Sequence, residues 1–234
     1  MEVTYINHSS FLLEGESNLF LFDYFDGDMP PLNDTKPLYC FASHSHGDHF
    51  SEKLFEVTAS HPNVHYILSD DIFKSRVPDQ FFSKCDFVSP YQTMVIDNIS
   101  IKTLKSTDLG VAFIIEEEGR LIYHGGDLNN WQWQEESPIY NTQVELDYLA
   151  ELDKMKGASL YIAFLPFDSR QEEYVRLKAV RQFFERVNAQ YIFPMHLWDE
   201  YTITDSLTSA LNHKTNSIFC CSDHRGQKFV LAED

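Results

Sequence analysis

A cluster of metal-binding residue types directly follows a buried strand, and this junction constrains the fold more than any other feature of the chain. The run PLYCFAS, residues 37–43, is apolar and of strand length, and HSHGDH, residues 44–49, begins where it ends. In α/β proteins, ligand sites collect at the carboxyl ends of strands. The cluster therefore has the position of a functional site in an α/β protein, and the rest of the chain must be compatible with such a fold.

The residue types and spacing of HSHGDH favour a metal site. Histidine nitrogen and carboxylate oxygen are ligands of zinc-class metals, and catalytic sites keep one position for water. Residues i and i+2 of an extended segment face the same way, so we expect His44 and His46 to hold one ion. Asp48 and His49 follow at a turn that the small Gly47 would ease, and we expect them to face a second ion. A solvated polar loop is the alternative.

Two more candidate ligands follow strand-like runs. Asp127 comes after RLIYHGG, whose glycine pair permits a close approach of the backbone, and His196 comes after YIFPM, a strand that Pro194 is expected to break. A carboxylate between two ions and a distant histidine would complete a binuclear set. In such a set a bridging hydroxide attacks while both ions stabilise the developing charge.

The order of the periodic segments predicts one domain, residues 1–234, of the α/β class. Short β-rich runs fill the first quarter and the middle, whereas the last hundred residues alternate helix with strand. One helix is expected after the histidines with Ser51 as its N-cap, and another over residues 141–157 with Gly157 as its stop. Two β-rich sheets with helices outside them indicate an α/β sandwich.

The charge and the cysteines restrict the partners and the compartment. A net charge of −18, from 36 acidic and 18 basic residues, repels phosphate backbones and anionic lipid, so we expect a small-molecule substrate and neither nucleic acid nor membrane as a partner. No apolar run approaches the ~20 residues of a membrane span. The start MEVTYIN lacks the basic region of a signal peptide, and the four cysteines show no CxxC spacing. We interpret the cysteines as reduced thiols of a cytoplasmic protein.

These motifs resemble the metallo-β-lactamase superfamily. Its HxHxDH signature matches residues 44–49, the opening INHSSFLLEGESNLFLFD is similar to its first strands, IYHGGD to its bridging-aspartate strand, and PMH to its final-histidine loop. The resemblance covers nearly the whole chain. Within the superfamily, the chain is similar to the compact branch that includes ascorbate-lactone hydrolases and phosphodiesterases. It implies a four-layer αββα sandwich of two mixed β-sheets flanked by helices, with the metals at the mouth between the sheets.

The resemblance also implies a metal-dependent hydrolase, in which a metal-bound hydroxide attacks a phosphodiester, lactone, amide or thioester centre. The implied metal ligands are His44, His46, His49, His196 and the bridging Asp127, with Asp48 as a ligand or a catalytic proton shuttle. One or two divalent ions are expected, zinc first, with manganese or iron as alternatives. An iron-dependent oxidoreductase or dioxygenase on the same fold, or a non-catalytic metal-binding sensor, is the alternative function.

The chain departs from the family pattern at one place. The family usually has another histidine before the glycine that opens the strand GVAFIIEEEG, and here the segment reads LKSTDLGVAF. Asp108 would substitute as an oxygen ligand, Ser106 and Thr107 would hold a water, or Asp108 would only form a turn before Gly110. An oxygen ligand would make the first metal site less selective for zinc.

The remaining histidines divide into two groups. His8 and His124 lie beside matched motifs, and we expect them to form outer hydrogen bonds that orient the ligands, with simple packing as the alternative. The others are expected to have no part in the site: His61, which Pro62 follows, as a loop residue, and His65, His213 and His224 because they lack ligand neighbours in the sequence.

Three side chains are candidates for substrate binding. Trp131 and Trp133 follow Asp127, and aromatic walls suit an apolar or ring-shaped substrate, although a core position explains them equally well. Arg170 would bind a carboxylate or phosphate in a bidentate manner, or else form a structural pair with Asp168.

Overall fold

The structure is a computed structural model and describes residues 1–211 and 215–232. By its internal contacts the chain divides into two compact units, which are described separately below. The first unit comprises Met1–Ser89 and Ser222–Asp234, and the second comprises Pro90–Cys221. The prediction that residues 1–234 form one domain stays a prediction.

The first unit contains a mixed seven-stranded sheet with the order β14-β1-β2-β3-β4-β5-β6. Its strands are β1 (Glu2–Asn7), β2 (Ser10–Glu14), β3 (Leu19–Phe22), β4 (Leu38–Ala42), β5 (Val64–Ser69), β6 (Cys85–Val88) and β14 (Lys228–Val230). Strands β3 to β6 pair in parallel, and the others pair antiparallel. Every residue of β3 and β4 is buried, as expected for strands that are covered on both faces.

One α-helix of this unit, α1 (Lys53–Thr58), follows the histidine motif. Its residue Phe55 lies with its ring centroid 4.9 Å from that of Tyr66 on β5, which fixes the helix on the sheet. The prediction that Ser51 is the N-cap is wrong by one residue. Glu52 occupies that position without a side-chain cap, while the Ser51 hydroxyl accepts a hydrogen bond from the Lys53 amide at 3.2 Å.

The second unit contains a mixed seven-stranded sheet with the order β13-β12-β11-β10-β9-β8-β7. Its strands are β7 (Thr93–Ile96), β8 (Ile99–Lys105), β9 (Val111–Glu117), β10 (Arg120–His124), β11 (Ser159–Pro166), β12 (Asn188–Met195) and β13 (Ile218–Phe219). Strands β10 to β13 are parallel. The helices are α2 (Pro138–Asp153), α3 (Glu173–Phe184) and α4 (Thr204–Leu211).

The predicted start and stop of one helix and the predicted break in one strand of this unit are wrong. Helix α2 begins three residues earlier than predicted, because Ser137 caps it by accepting from the Tyr140 amide and Pro138 occupies the first turn. Helix α2 also ends at Asp153, before the expected stop at Gly157. Strand β12 is not broken by Pro194, because β13 pairs only with Tyr191 and Ile192 and leaves no ladder bond for the proline to remove.

The two mixed sheets and their helices confirm the predicted α/β sandwich class. The four cysteines are free thiols, as predicted. No helix within residues 1–211 and 215–232 has both the length and the hydropathy needed to cross a lipid bilayer. His213 lies outside the described residues.

Candidate metal-binding residues

The histidine motif forms a tight turn at the carboxyl end of β4. The amides of His49 and Phe50 both donate to the His46 carbonyl, at 3.1 and 2.9 Å. Nε2 of His44 lies 3.0 Å from Nδ1 of His46. Two ligands of one tetrahedral ion, each bound at ~2.0–2.1 Å, lie roughly 3.3 Å apart. The spacing of these two nitrogens therefore fits a shared ion.

Gly47 does not have the role in this turn that its small size indicated. It does not adopt a positive φ, and a Cβ added to it would meet nothing within 4 Å. An alanine would fit this position, so the turn is maintained by its hydrogen bonds to His46 and not by the freedom of glycine.

Asp23, which follows β3, orients the histidines of this turn. Its buried carboxylate accepts hydrogen bonds from the amide and the hydroxyl of Ser43, both at 2.7 Å. The same carboxylate lies 2.7 Å from Nδ1 of His49. A carboxylate on one ring nitrogen fixes the tautomer and leaves the other nitrogen to ligate a metal. Nε2 of His49 is therefore the nitrogen available as a ligand.

The same hydrogen-bond chain reaches His44. Its Nδ1 lies 3.0 Å from the Ser43 hydroxyl, which already donates its proton to Asp23. The imidazole must then be the donor at Nδ1, so that Nε2 faces His46 as an acceptor. One buried carboxylate thus sets the tautomers of two candidate ligands. Sequence reasoning missed Asp23, although its place at the end of the strand LFLF was a signal.

His8 and Asp48 form a second group with His49. One potential ligand atom from each of these three residues lies within 4.8 Å of the others, and Nε2 of His8 is 3.5 Å from Oδ2 of Asp48. His8 is buried in the turn between β1 and β2 with a φ of 54°. It contacts two predicted ligands, as an orienting role requires, and that role stays a prediction.

In the second unit, Asp127 and His196 lie together beyond the ends of parallel strands β10 and β12. Nε2 of His196 is 3.0 Å from Oδ1 of Asp127, again the separation of two atoms that share an ion. On the other side of the ring, Nδ1 of His196 lies 2.8 Å from Oδ2 of Asp168, which follows β11. His196 therefore has the same carboxylate-oriented arrangement as His49.

Asp168 is fully buried and is itself held by Arg170. The Arg170 guanidinium donates through Nε and Nη2 to both carboxylate oxygens, with a shortest distance of 2.6 Å. Burial by itself raises the pKa of Asp168, but hydrogen bonds from His196 and Arg170 outweigh it and hold that pKa below its usual range. The Asp168–Arg170 pair considered from the sequence is thus present, and Asp168 remains an ionised acceptor for His196.

His124, at the end of β10, supports the segment that carries Asp127. Its ring is buried at a centroid distance of 5.6 Å from Phe164, and its Nδ1 accepts a hydrogen bond from the Gly126 amide at 3.2 Å. Gly126 has a φ of 50°, and a Cβ on Gly125 would lie 3.2 Å from Pro166. The glycine pair is therefore required for a close approach to β11, and His124 fixes its conformation.

The remaining histidines do not belong to such groups. His61 bonds to the Asn63 carbonyl, His65 to Asp86, and His224 to Asp223. Among the described residues, none of these three is part of a group of three or more potential metal ligands. His61 lies in a loop, as expected, but is buried, and His65 lies on β5. That these histidines have no part in the site stays a prediction.

Comparison with known families identifies the superfamily of this chain. The family model for the beta-lactamase superfamily domain matches residues 2–196, which is most of the chain. The protein belongs to the beta-lactamase superfamily. The family resemblance inferred from the HSHGDH, IYHGGD and PMH motifs is thereby confirmed.

Relatives of this superfamily chain include a UPF0173 metal-dependent hydrolase from Korarchaeum cryptofilum, 26% identical over 135 residues. The match covers 54% of this chain and only 60% of that protein. A metallo hydrolase from the archaeon Ignicoccus hospitalis has a similar fold, with a TM-score of 0.65, 14% identity and coverage of 99% of both chains. CmlA, a diiron β-hydroxylase from Streptomyces venezuelae, gives a TM-score of 0.70 at 11% identity, covering 98% of this chain and 54% of CmlA.

At the place where this superfamily chain lacks the expected histidine, the structure positions Asp108 close to Asp127. One carboxylate oxygen of each lies within 4.8 Å of the other. Thr107 anchors the segment through its hydroxyl, which donates to the Asn129 carbonyl at 2.6 Å, and the Ser106 hydroxyl accepts from the Asp108 amide at 3.1 Å. The two hydroxyls thus bond to backbone groups, and Asp108 as the substitute ligand stays a prediction.

The two tryptophans after Asp127 have different surroundings. Trp131 is buried and donates from Nε1 to the Asp127 carbonyl at 2.8 Å, while Trp133 is half-buried and stacks on it with centroids 5.9 Å apart. A cavity of about 220 Å³ lies beside them. It is lined by Thr107, Asp108, Asp127, Trp131, Trp133, Tyr140 and Arg170. Trp131 therefore supports Asp127, and Trp133 is the better candidate for contact with a substrate.

Proposed function

We propose that this protein is a metal-dependent hydrolase of small molecules. The observation that carries the proposal is that each unit holds a histidine whose Nδ1 faces a fully buried carboxylate, His49 on Asp23 and His196 on Asp168. Histidines that bind metals almost always have such a partner, because it fixes the tautomer and raises the basicity of the ligating nitrogen. Membership of the beta-lactamase superfamily and the metal-dependent hydrolase from Korarchaeum cryptofilum support the same activity.

We propose that the donor set holds two divalent ions of the zinc class. It consists of imidazole nitrogens and carboxylate oxygens, with two pairs of potential ligand atoms 3.0 Å apart. The proposed ligands are His44, His46, Asp48, His49, Asp127 and His196, with Asp108 as a further oxygen ligand. Such ions supply a water of pKa near ~7 and stabilise the charge that develops in the transition state. We propose zinc first, with manganese or iron as alternatives.

The chain's own residues have distinct proposed roles in the reaction. Asp127 would be a metal ligand through its carboxylate, while Asp23 and Asp168 would keep the ligand histidines in one tautomer. Asp48 is half-exposed, with Oδ2 at 3.5 Å from His8 Nε2, and would receive a proton at that oxygen. Trp133 and Arg170, which line the cavity with Asp127, would contact the substrate. A phosphodiester, a lactone or a related ester or amide is the proposed substrate class.

A second candidate is an iron-dependent oxidoreductase. The observation that favours it is Asp108, because a hard oxygen ligand in place of a histidine improves the competition of iron with zinc. CmlA shows only that a protein with a similar fold is a diiron enzyme.

Metal analysis with two activity assays tests the proposal. Purified protein is expected to contain up to two transition-metal ions per chain, to lose them to a chelator, and to hydrolyse at least one phosphodiester, lactone or thioester in a broad panel. Activity should return when zinc or manganese is added to the stripped protein. Iron content together with oxygen consumption would instead support the oxidoreductase, and metal binding without any turnover would support a sensor.

Substitution of Asp108 tests the ligand that replaces the family histidine. Asp108→Ala is expected to weaken one ion and leave the other unchanged, because only one ion would lose a ligand. Asp108→His should shift the preference from manganese or ferrous iron toward zinc, since imidazole is the softer ligand. Competitive titration of the stripped wild type and both variants measures this. Equal affinities in wild type and Asp108→Ala would show that Asp108 is only a turn residue.

A further inference from the structure

A pair of charged side chains holds the peptide groups between His44 and His46. The amide of Ser45 donates to Oδ2 of Asp71 at 2.9 Å, and the carbonyl of Ser45 accepts from Nη1 of Arg76 at 3.1 Å. Both charged residues come from the segment that follows β5, 26 and 31 positions further along the chain. We call this arrangement, Asp71 and Arg76 on Ser45, the Ser45 clamp.

The Arg76 side of the clamp is fixed by residues that follow the histidine motif. Nε and Nη2 of Arg76 donate to the two carboxylate oxygens of Glu52 at 2.6 and 3.3 Å. The guanidinium also lies 4.6 Å from the ring centroid of Phe50, which is fully buried. A planar guanidinium that one carboxylate holds along one edge and an aromatic ring contacts on its face has little freedom, so its donor to Ser45 is preorganised.

The Asp71 side of the clamp is arranged at a cost to stability. Its Oδ1 is buried and has no hydrogen-bond partner among the described residues, so Oδ2 alone offsets the desolvation of the carboxylate. A buried polar atom without a partner calls for an explanation. The neighbouring Ile72 is buried and its amide bonds to the Ser69 carbonyl, which keeps Asp71 at this position.

The clamp acts where the sheet no longer holds the chain. Strand β4 ends at Ala42, so no ladder hydrogen bonds fix the backbone of residues 44–46. The orientation of the Ser45 peptide groups sets the directions of the two flanking side chains, and hence the 3.0 Å separation of their nitrogens. Metal geometry tolerates errors of only ~0.5 Å in ligand position.

From this geometry we infer that Asp71 and Arg76 are positioning residues for the metal pair His44 and His46. The inference rests on the proposed function, because it assigns these two histidines to an ion. It concerns only how that ion is held, and neither Asp71 nor Arg76 is a proposed ligand. Their removal therefore affects the geometry of the pair and not the number of ligands.

The test combines metal titration with hydrogen exchange. Cobalt is titrated into stripped wild type, Asp71→Ala, Asp71→Asn and Arg76→Ala, and its visible absorption reports coordination geometry. Asp71→Ala and Arg76→Ala are expected to weaken one of two ions ~10–100-fold, the usual size of the effect of an outer hydrogen-bond partner. Asp71→Asn should largely restore binding, because its amide oxygen still accepts from Ser45. Hydrogen exchange of the Ser45 amide should accelerate in Asp71→Ala without any metal present.

The matched control is Lys53→Gln, which removes an exposed ion pair with Asp26 near the same turn without contacting Ser45. It should bind cobalt as wild type does. Unchanged affinity and spectrum in Asp71→Ala and Arg76→Ala would overturn the inference. Equal loss in Asp71→Ala and Asp71→Asn, together with a lower unfolding midpoint, would also overturn it and indicate a purely structural role. Wild type that binds no cobalt would overturn the proposed function, whereas the exchange measurement would still show whether the clamp exists.

Discussion

Replacement of His46 by alanine is expected to eliminate turnover and release one of the two proposed ions. Nδ1 of His46 is one of a pair of nitrogens 3.0 Å apart, and an alanine offers no replacement ligand. The loss of metal affinity and activity should exceed the ~10–100-fold loss that follows removal of an outer hydrogen-bond partner. His46 is exposed, so its removal leaves the core intact and the unfolding midpoint of the metal-free protein should not change.

Metal content and hydrolysis of the same substrate measure this effect. His224→Ala is the matched control, because His224 is also exposed and lies beside a carboxylate, Asp223, outside the histidine turn. That variant should retain metal and activity. A His46→Ala protein that keeps both ions and full activity would contradict the ligand assignment, and with it the mechanism proposed above.

Replacement of Asp23 by asparagine is expected to weaken metal binding and stability together. Asparagine tolerates the φ of 43° at this position. Its NH₂ group, however, would replace one carboxylate oxygen. It would face either the Ser43 amide or the Ser43 hydroxyl and His49 Nδ1, which contact Oδ2 in the wild type. If the NH₂ group takes the place of Oδ2, His49 has to accept a hydrogen bond at Nδ1. Its Nε2 then carries the proton and cannot bind a metal. We expect a ~10–100-fold loss of metal affinity and ~1–3 kcal/mol of lost stability from mismatched buried groups.

Denaturant unfolding of the stripped protein separates the two effects, and zinc titration measures the affinity. Asp26→Asn is the control, because Asp26 is three residues away but pairs with Lys53 at the surface. It should change neither quantity appreciably. If Asp23→Asn bound zinc as tightly as wild type, the orientation of His49 by Asp23 would not matter for the site.

The residues that could be predicted from the sequence are those whose signal is local. His44, His46, Asp48 and His49 lie within six positions, directly after an apolar run. Such a pattern is visible without any knowledge of strand pairing. Asp127 and His196 were found because each follows a recognisable strand, and parallel strands end at the same edge of a sheet.

The supporting residues could not be predicted because their contacts depend on strand register. Phe22 of β3 lies opposite Phe41 of β4, and this pairing places Asp23 beside Ser43, twenty positions away in the chain. A shift by one residue would turn the carboxylate to the other face of the sheet. Asp71 and Arg76 reach Ser45 from a turn after β5 in the same way. Composition and spacing contain no information about these registers.

The boundary errors have a different cause. The periodic pattern of α2 begins at residue 141, whereas its start depends on the cap at Ser137 and the following proline. Capping residues of this kind are visible in the sequence, but they lie outside the periodic apolar pattern and therefore outside the predicted helix. Proline breaks a strand where it removes a ladder hydrogen bond, and at Pro194 the short β13 leaves no such bond.

The pairing of β14 with β1 determines the order in which the chain can complete its sheets. Glu2 lies opposite Val230, so the first sheet needs a strand that is synthesised only after the whole of the second unit. Until then, a nascent chain carries β1 with one row of backbone N–H and C=O groups unsatisfied. Such an edge is a template for pairing with other chains. When residues 228–230 arrive, they cover Glu2–Thr4 and replace the β1 edge with the three-residue edge strand β14, and such short edges are less prone to pairing with other chains.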